Sequence, residues 1–293
     1  MKKMLFAINP VTAKTAVTPR LIDIIDEFEK GGYSVTTHIT KSRGELSELI
    51  LSCGEDYDTV VSAGGDGTLN ETIAPILKLG KKPVVGFIPA GTTNDFATGW
   101  KIPRNPLQAA RRIVRNEPVS IDVGINNGKP FIYVAACGVL SDIPYRTSQQ
   151  KKQNFRYAAY LSEGIRSLTT SAPFHMTLEH DGQTVSGEYH LVLISNSKRI
   201  GGFDLKFKDK VKLNDGLLEV TMVKKPVNPI EGPAMLGAVL FQDLNSDYIY
   251  HTQAREIKIE STTPLVWDVD GEQGDTSCHA EIKAVPDSIR MIL

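Results

Sequence analysis

From residue 1 to about 120, short apolar runs alternate with segments of helical periodicity. Lys3–Ile8 reads as a strand. In Thr18–Lys30, Leu21, Ile24, Ile25 and Phe28 recur at helical spacing. Thr18 is the expected N-cap, with Pro19 at the first helical position, and Gly31-Gly32 closes the helix. Tyr33–Ile39 predicts a second strand, and Leu46, Leu49 and Ile50 mark a second helix. Thr59–Ala63 predicts a third strand, Leu69–Leu79 a helix and Pro83–Ile88 a fourth strand. This alternation predicts an α/β domain with a parallel sheet and crossover helices.

Past about residue 117 the pattern becomes strand after strand. Val119–Ile125 and Pro130–Cys137 are expected as neighbouring strands joined by the turn Asn126-Asn127-Gly128. A helical stretch follows at about Gln153–Leu168. Further strand-like runs are Phe174–His180, Val185–Ser195, Gly216–Val223, Arg255–Ile259, Leu265–Asp270, Cys278–Ala284 and Ser288–Leu293. Turn pairs at Asp181-Gly182 and Asp270-Gly271 predict a mostly antiparallel, β-rich second domain. The expected division is 1–118 and 119–293, with the extreme C-terminus allowed to return to the first domain.

Composition narrows the class. The chain has 293 residues, a net charge of −1, 41% hydrophobic and 23% charged residues, as in an ordinary globular protein of about two domains. No nucleic-acid motif or overall basic charge points to a polyanion partner. No apolar run approaches the roughly 18–20 residues of a spanning helix. The first apolar run is too short for a signal-peptide core. Cys53, Cys137 and Cys278 form no CxxC pair and no disulfide framework, so a reducing, cytoplasmic setting is expected.

The chemistry concentrates in two loops. Val60–Ala63 is followed by Gly64-Gly65-Asp66-Gly67-Thr68-Leu69-Asn70-Glu71, a strand ending in glycines before a helix that opens at Thr68. Glycines let backbone N–H groups approach a ligand closely, and the helix adds its positive end, which suits a nucleotide phosphate. Thr68 and Glu71 have the spacing of a capping box. Asp66 inside the loop would repel phosphate unless a cation such as Mg²⁺ intervened. After the fourth strand, Pro89-Ala90-Gly91-Thr92-Thr93-Asn94-Asp95-Phe96-Ala97 offers hydroxyls and a second carboxylate at the same sheet edge. There is no GxxxxGK[ST] P-loop, and the glycines follow the third strand rather than the first, unlike a dinucleotide-binding fingerprint.

The pair of loops resembles the diacylglycerol kinase catalytic domain family, which includes bacterial soluble diacylglycerol kinases, sphingosine kinases and related lipid kinases. The GGDGT segment is shared with NAD kinases; the PAGTxNDFA loop at this distance is more specific. The resemblance implies a phosphofructokinase- or NAD kinase-like N-terminal domain that binds ATP with Mg²⁺, and a β-rich domain that shapes the lipid site. It implies nucleotide contacts at Asn9, Thr12, Thr40, Gly64, Gly65, Asp66, Gly67, Thr68, Asn70, Thr92, Thr93 and Asn94. Catalytic roles are implied for Asp66, Asp95 and Glu272, the last as base within Asp270-Gly271-Glu272. A second metal site is implied at Lys212, Asp215 and Leu217, where Lys212 and Leu217 give carbonyls and Asp215 a carboxylate. The chain departs from the family pattern at Val11–Thr15, which lacks glycine, and at Asp209-Lys210-Val211.

A lipid kinase must reach a bilayer, so a peripheral membrane surface is an expected partner, at the inner face, and a homodimer is a family expectation. Lys206, Lys208, Lys210 and Lys212 would share one face of an extended strand, either an anionic-headgroup contact or a guarded sheet edge. Lys151–Leu168 mixes cations with apolar residues at helical spacing. Two other functions fit part of the pattern: an NAD kinase, and a nucleotide- or lipid-binding regulator without catalysis.

Overall fold

The computed structural model describes residues 1–138 and 172–293, which divide into two compact units. The first comprises Met1–Val123, Ser197–Asp215 and Val285–Leu293; the second comprises Gly124–Asn196 and Gly216–Ala284. The division thus falls at Val123 rather than 118, and the segment 197–215 joins the first unit.

The N-terminal part runs β1 (Lys2–Ile8), α1 (Pro10–Ala13), α2 (Leu21–Lys30), β2 (Tyr33–Ile39), α3 (Glu45–Cys53), β3 (Thr59–Gly64), α4 (Asp66–Ile76), β4 (Val84–Pro89), α5 (Asp95–Gly99) and α6 (Pro106–Arg115). Strands β4, β3, β1 and β2 lie side by side in that order, every pair parallel. The apolar runs of β1, β3 and β4 are buried on both faces, as in a sheet covered by crossover helices, whereas β2 is the edge strand and leaves Ile39 exposed. Met4, Phe6, Val61 and Ile88 pack with Ile24 and Phe28 of α2 and Ile113 of α6, and Phe6 meets Phe28 edge to face at 5.4 Å. Each such burial stabilises by roughly 1.5–3 kcal/mol.

The remaining strands are β5 (Val119–Asn126), β6 (Lys129–Phe131), β7 (Val134–Gly138), β8 (Phe174–His180), β9 (Gln183–Ser195), β10 (Arg199–Ile200), β11 (Phe203–Asp204), β12 (Leu218–Lys224), β13 (Ile249–Ala254), β14 (Glu256–Val269) and β15 (Glu272–Met291), with α7 (Gly232–Leu240) before β13. Among the described residues of the second unit the strands pair antiparallel, in the order β13, β12, β9, β7, β14, β15, with β8 paired to both β9 and β14. Trp267, Tyr189, Phe131, Val192 and Ile282 form its core. The hairpins at Asn127-Gly128, Asp181-Gly182 and Asp270-Gly271 all have positive φ at both turn residues, the geometry that follows strand twist. The end of β15 returns to the first unit, where Met291 pairs parallel with Val85.

Several expectations change. Thr18–Arg20 is a 3₁₀ turn without a side-chain cap, and α2 begins at Leu21. Helix α4 opens at Asp66, so Thr68 already lies inside it and is no capping-box N-cap; Glu71 accepts instead from the Gly44 N–H at 3.2 Å. Pro130–Cys137 is two strands rather than one, because the backbone at Ile132–Val134 is drawn onto a carboxylate described below. Arg255–Ile259 and Leu265–Asp270 merge into β14, and the last two predicted runs merge into β15. The lysine run is not extended: Lys208 N–H donates to the Leu205 carbonyl and Lys210 N–H to Phe207, so 206–210 is a series of turns. Burial of Phe207 and Val211 sets that curl, and the four lysines share no strand face. The predicted helix at 153–168, with its mixed cationic and apolar face, lies outside the described residues.

Candidate active site

Parallel register brings the loops together. Ile8 aligns with Ile39 and Ala63, and Gly64 with Pro89, so the loops after β1, β2, β3 and β4 leave the same carboxyl edge of the sheet. Asn9, Thr40 and Ala90 are tied across that edge. Asn9 N–H donates to the Ala63 carbonyl, Thr40 N–H to Ile8, and Ala90 N–H to Gly64 at 2.6 Å. Asn9 caps α1 through Val11 N–H, and its Nδ2 donates to Thr68 Oγ1 at 3.1 Å. Thr12 Oγ1 reaches back only to the Asn9 carbonyl at 3.5 Å. Thr40 is buried, and its hydroxyl donates to the Ile8 carbonyl.

The two glycine loops touch backbone to backbone. A Cβ on Gly91 would stand 2.5 Å from Gly65 Cα and 2.8 Å from Asn94 Oδ1, so that approach requires glycine. A Cβ on Gly64 would collide with Thr68 at 2.3 Å. Asn94, at φ 50°, folds its side chain onto Gly91 N–H and the Gly91 carbonyl, both at 2.8 Å. Gly65 stands at the N-cap of α4 without a capping side chain, and a Cβ on Gly67 would meet nothing within 4 Å. The first N–H groups of α4 have no intrahelical acceptors, so this opening fits an anion. Thr92 is exposed, and Asn70 is half-buried on α4.

Asp66 does not face away from the protein. Its Oδ2 accepts from Asp95 N–H at 3.0 Å and from Thr93 Oγ1 at 3.4 Å, and its Oδ1 accepts from Phe96 N–H at 3.2 Å. It thereby caps α5 and ties the second loop to the first. Burial pushes its carboxyl above the usual carboxylate range, the N–H of Asp95 opposes this, and the charge of Asp95 adds to it. Asp95 is itself buried; both its oxygens accept from Gly202 N–H at 3.0 Å, and Arg199 Nε lies 3.6 Å away.

In the second unit, Asp270 sits at φ 52° in the β14–β15 turn. Its Oδ2 accepts from Ile132 N–H at 2.9 Å, and its Oδ1 from Tyr133 and Val134 N–H at 3.0 and 2.9 Å. Glu272, two residues on, is exposed at the start of β15. Asp268 is half-buried and accepts from Gly271 N–H at 2.8 Å; burial lifts its carboxyl, with Glu272 adding to the rise. Of the residues expected at a second metal site, Lys212 is exposed while Asp215 and Leu217 are half-buried. Among the described residues no group of three or more His, Cys, Asp and Glu gathers as a metal cluster.

Residues 3–125 match the diacylglycerol kinase catalytic domain, and residues 134–293 match the YegS C-terminal NAD kinase beta sandwich-like domain. A diacylglycerol kinase of Bacillus subtilis is 30% identical over 276 residues, covering 94% of this chain and 91% of that protein. The chain belongs to the diacylglycerol kinase family. A crystal structure of a diacylglycerol kinase from Bacillus anthracis superposes with a TM-score of 0.73 at 25% identity, covering 99% of this chain and 96% of the other. An NAD kinase from Archaeoglobus fulgidus, in complex with ATP, shares the fold at a TM-score of 0.52 and 13% identity, covering 99% and 93%.

Within this family frame, sequence reasoning missed a layer of support. Arg104 Nη2 donates to the Thr93 carbonyl at 2.8 Å, and Lys198 Nζ lies 4.1 Å over the Trp100 ring. Arg199 also pairs with Asp204, fixing the small β10–β11 hairpin beside Asp95. No motif flags these residues, since 198–204 lies about a hundred positions from Asp95. Asp270 had a signal, its Asp-Gly turn, but the three N–H groups it collects come from 132–134.

Proposed function

We propose that the protein is an ATP-dependent lipid kinase that transfers the γ-phosphoryl group to a hydroxyl of a lipid such as diacylglycerol. The observation that carries this reading is the joined pair of loops, with the Asp66 carboxylate on the N–H groups of Asp95 and Phe96, in a chain of the diacylglycerol kinase family. Gly65, Gly67 and Thr68 present the opening of α4 to the phosphates, with Gly64, Asn70, Thr92, Thr93 and Asn94 around them and Asn9, Thr12 and Thr40 on the adjoining loops. Mg²⁺, when bound, offsets the charge of the phosphates. Asp66 and Asp95 are the carboxylates nearest that role, and Asp66 also fixes the relation of the two loops. Glu272 accepts the proton of the acceptor hydroxyl as its oxygen bonds to the γ-phosphorus and the bond to the leaving ADP breaks. Lys212, Asp215 and Leu217 are proposed to hold a further, structural cation.

The chain would work in the cytoplasm against the inner face of the membrane; among the described residues no helix is long and apolar enough to cross it. NAD kinase remains the second reading on account of the shared fold. The test is turnover with ATP against diacylglycerol, other lipid alcohols and NAD. Lipid phosphorylation that is lost in Glu272→Gln supports the proposal. Transfer to NAD, or nucleotide binding without turnover, replaces it with the second reading or with a regulator.

A further inference from the structure

The buried carboxylate of Asp95 faces a hairpin that arrives from far along the chain. Residues 197–215 run between β9 and β12 but belong to the first unit. At their start, β10 and β11 pair Arg199 with Asp204 and Ile200 with Phe203. Gly201 and Gly202 make the turn at φ 60° and 87°, a conformation that suits glycine. The turn aims the Gly202 N–H at both Asp95 oxygens, 3.0 Å from each. Two bonds tie the base of the hairpin. The Ser197 hydroxyl donates to the Arg199 carbonyl at 2.7 Å, and Leu205 N–H donates to the Lys198 carbonyl at 2.9 Å.

Arg199 holds this turn closed. Its Nη1 donates to Asp204 and its Nη2 to the Gly202 carbonyl, so both amino groups are engaged within the hairpin. Its Nε is buried, makes no hydrogen bond and lies 3.6 Å from Asp95 Oδ1. The guanidinium therefore meets Asp95 as a charge whose position is set by the fork on Asp204 and Gly202. Neighbouring cations are placed elsewhere: Lys198 Nζ sits over the Trp100 ring, and Lys208 Nζ donates to Asp204 at 2.7 Å. Residue 95 is the joint between hairpin and loops. Its N–H donates to Asp66 Oδ2 while its carboxylate takes the Gly202 N–H. Asp66 and Asp95 bring like charges together out of water, and Arg199 supplies an opposing one.

We propose that Arg199 is a positioning residue of the nucleotide site, acting through Asp95 to keep the second glycine loop seated on the first. The inference rests on the reading that these loops bind ATP for transfer to a lipid. An arginine that served the hairpin alone would need only Asp204 and the Gly202 carbonyl, both at the exposed rim, where ion pairs contribute little. Here the same side chain also sets a charge beside a buried carboxylate whose own N–H holds Asp66. Without Arg199 the Gly202 turn loses its clamp. Repulsion between Asp66 and Asp95 then moves the second loop off the first and disturbs the opening of α4.

The test is a double-mutant cycle on ATP affinity, read by calorimetry on the full chain, with KM for ATP and for diacylglycerol measured separately. Arg199→Met weakens ATP binding and raises the KM for ATP roughly tenfold, while the KM for diacylglycerol stays as in wild type. Arg199→Lys, which keeps the charge but loses the fork, has a smaller effect in the same direction and gives the cycle a variant closer to native. In an Asp95→Asn background neither change weakens ATP binding by more than about twofold, because the group through which Arg199 acts is gone. A purely structural arginine lowers the unfolding midpoint and the active fraction but moves neither KM. Three results overturn the proposal: wild-type ATP affinity in Arg199→Met, an equal loss with and without Asp95→Asn, or a KM for diacylglycerol raised as much as that for ATP. If no lipid is phosphorylated yet the calorimetric cycle shows the coupling, the positioning role stands and the acceptor reading falls. If lipid is phosphorylated and Arg199→Met binds ATP like wild type, only the positioning role falls. A wild-type chain that binds no ATP removes both.

Discussion

Asp270 and Glu272 stand two residues apart, yet their surroundings assign them different work, and substitution should separate the two roles cleanly. Asp270 is 6% exposed and its carboxylate takes the N–H groups of Ile132, Tyr133 and Val134 at 2.9–3.0 Å. Hydrogen bonds to a charged acceptor are worth about 1.5–3 kcal/mol each, and a buried donor left without one costs about 1–3 kcal/mol. Those terms are not additive, because part of the backbone can relax towards water. Asp270→Ala should therefore cost about 3–5 kcal/mol, the range for breaking a buried polar network. Asp270→Asn should cost less, about 2 kcal/mol, because its carbonyl still serves one side while its amide faces an N–H donor. At about 2–4 °C per kcal/mol, the alanine variant should unfold roughly 10 °C lower. Glu272 is exposed, so Glu272→Gln should shift the midpoint by under about 1 °C while removing most turnover. Thermal denaturation followed by circular dichroism, paired with turnover on the same samples, reads both. The reasoning is refuted if Asp270→Ala unfolds like wild type, or if Glu272→Gln loses stability as severely as Asp270→Ala.

Further outcomes follow from the first unit. Gly91→Ala forces a Cβ to within 2.5 Å of Gly65 Cα, so it should cost about 1–3 kcal/mol as overpacking and weaken ATP binding, measured by calorimetry. Unchanged affinity would show that the loop contact does not shape the nucleotide site. Arg104→Ala removes the donor to the Thr93 carbonyl and should raise the KM for ATP severalfold with stability lowered by only about 0.5–1.5 kcal/mol, as checked by steady-state kinetics and melting. Asp66 carries a sign that acid titration can test. Its folded carboxyl is raised chiefly by burial, so between the unfolded value and the raised folded one the native chain holds the extra proton. Stability should then fall as pH rises through that window. The unfolding free energy of wild type minus Asp66→Asn should decrease across it and level off above; a difference that rises with pH contradicts the assignment.

Periodicity carried much of the first unit, because buried parallel strands and amphipathic helices write different patterns. Lys3–Ile8, Tyr33–Ile39 and Thr59–Ala63 lie within or match observed strands to a residue or so. Helix starts were less legible. Thr18 looked like a cap and Thr68 like half a capping box, but the folded chain starts those helices at Leu21 and Asp66, where tertiary contacts outweigh local capping. Towards the C-terminus, runs split by polar residues concealed the 14-residue β14 and the 20-residue β15, since a solvent-facing segment need not be apolar to stay paired. The lysines at 206–212 alternate as a strand would, but buried Phe207 and Val211 impose turns. Within the candidate site, the loops announce themselves through glycine and carboxylate spacing. Their support does not: Arg104, Arg199 and Gly202 are ordinary residues whose partners are chosen only by folding.

The most direct measurement is transfer of labelled phosphate from ATP to diacylglycerol in mixed micelles by the wild-type chain, Asp66→Ala and Glu272→Gln. The account predicts labelled phosphatidic acid with wild type, and its near-complete loss in both variants although both remain folded. Wild-type-like transfer by Glu272→Gln would contradict the proposed base, and label appearing on NAD but on no lipid would contradict the proposed reaction.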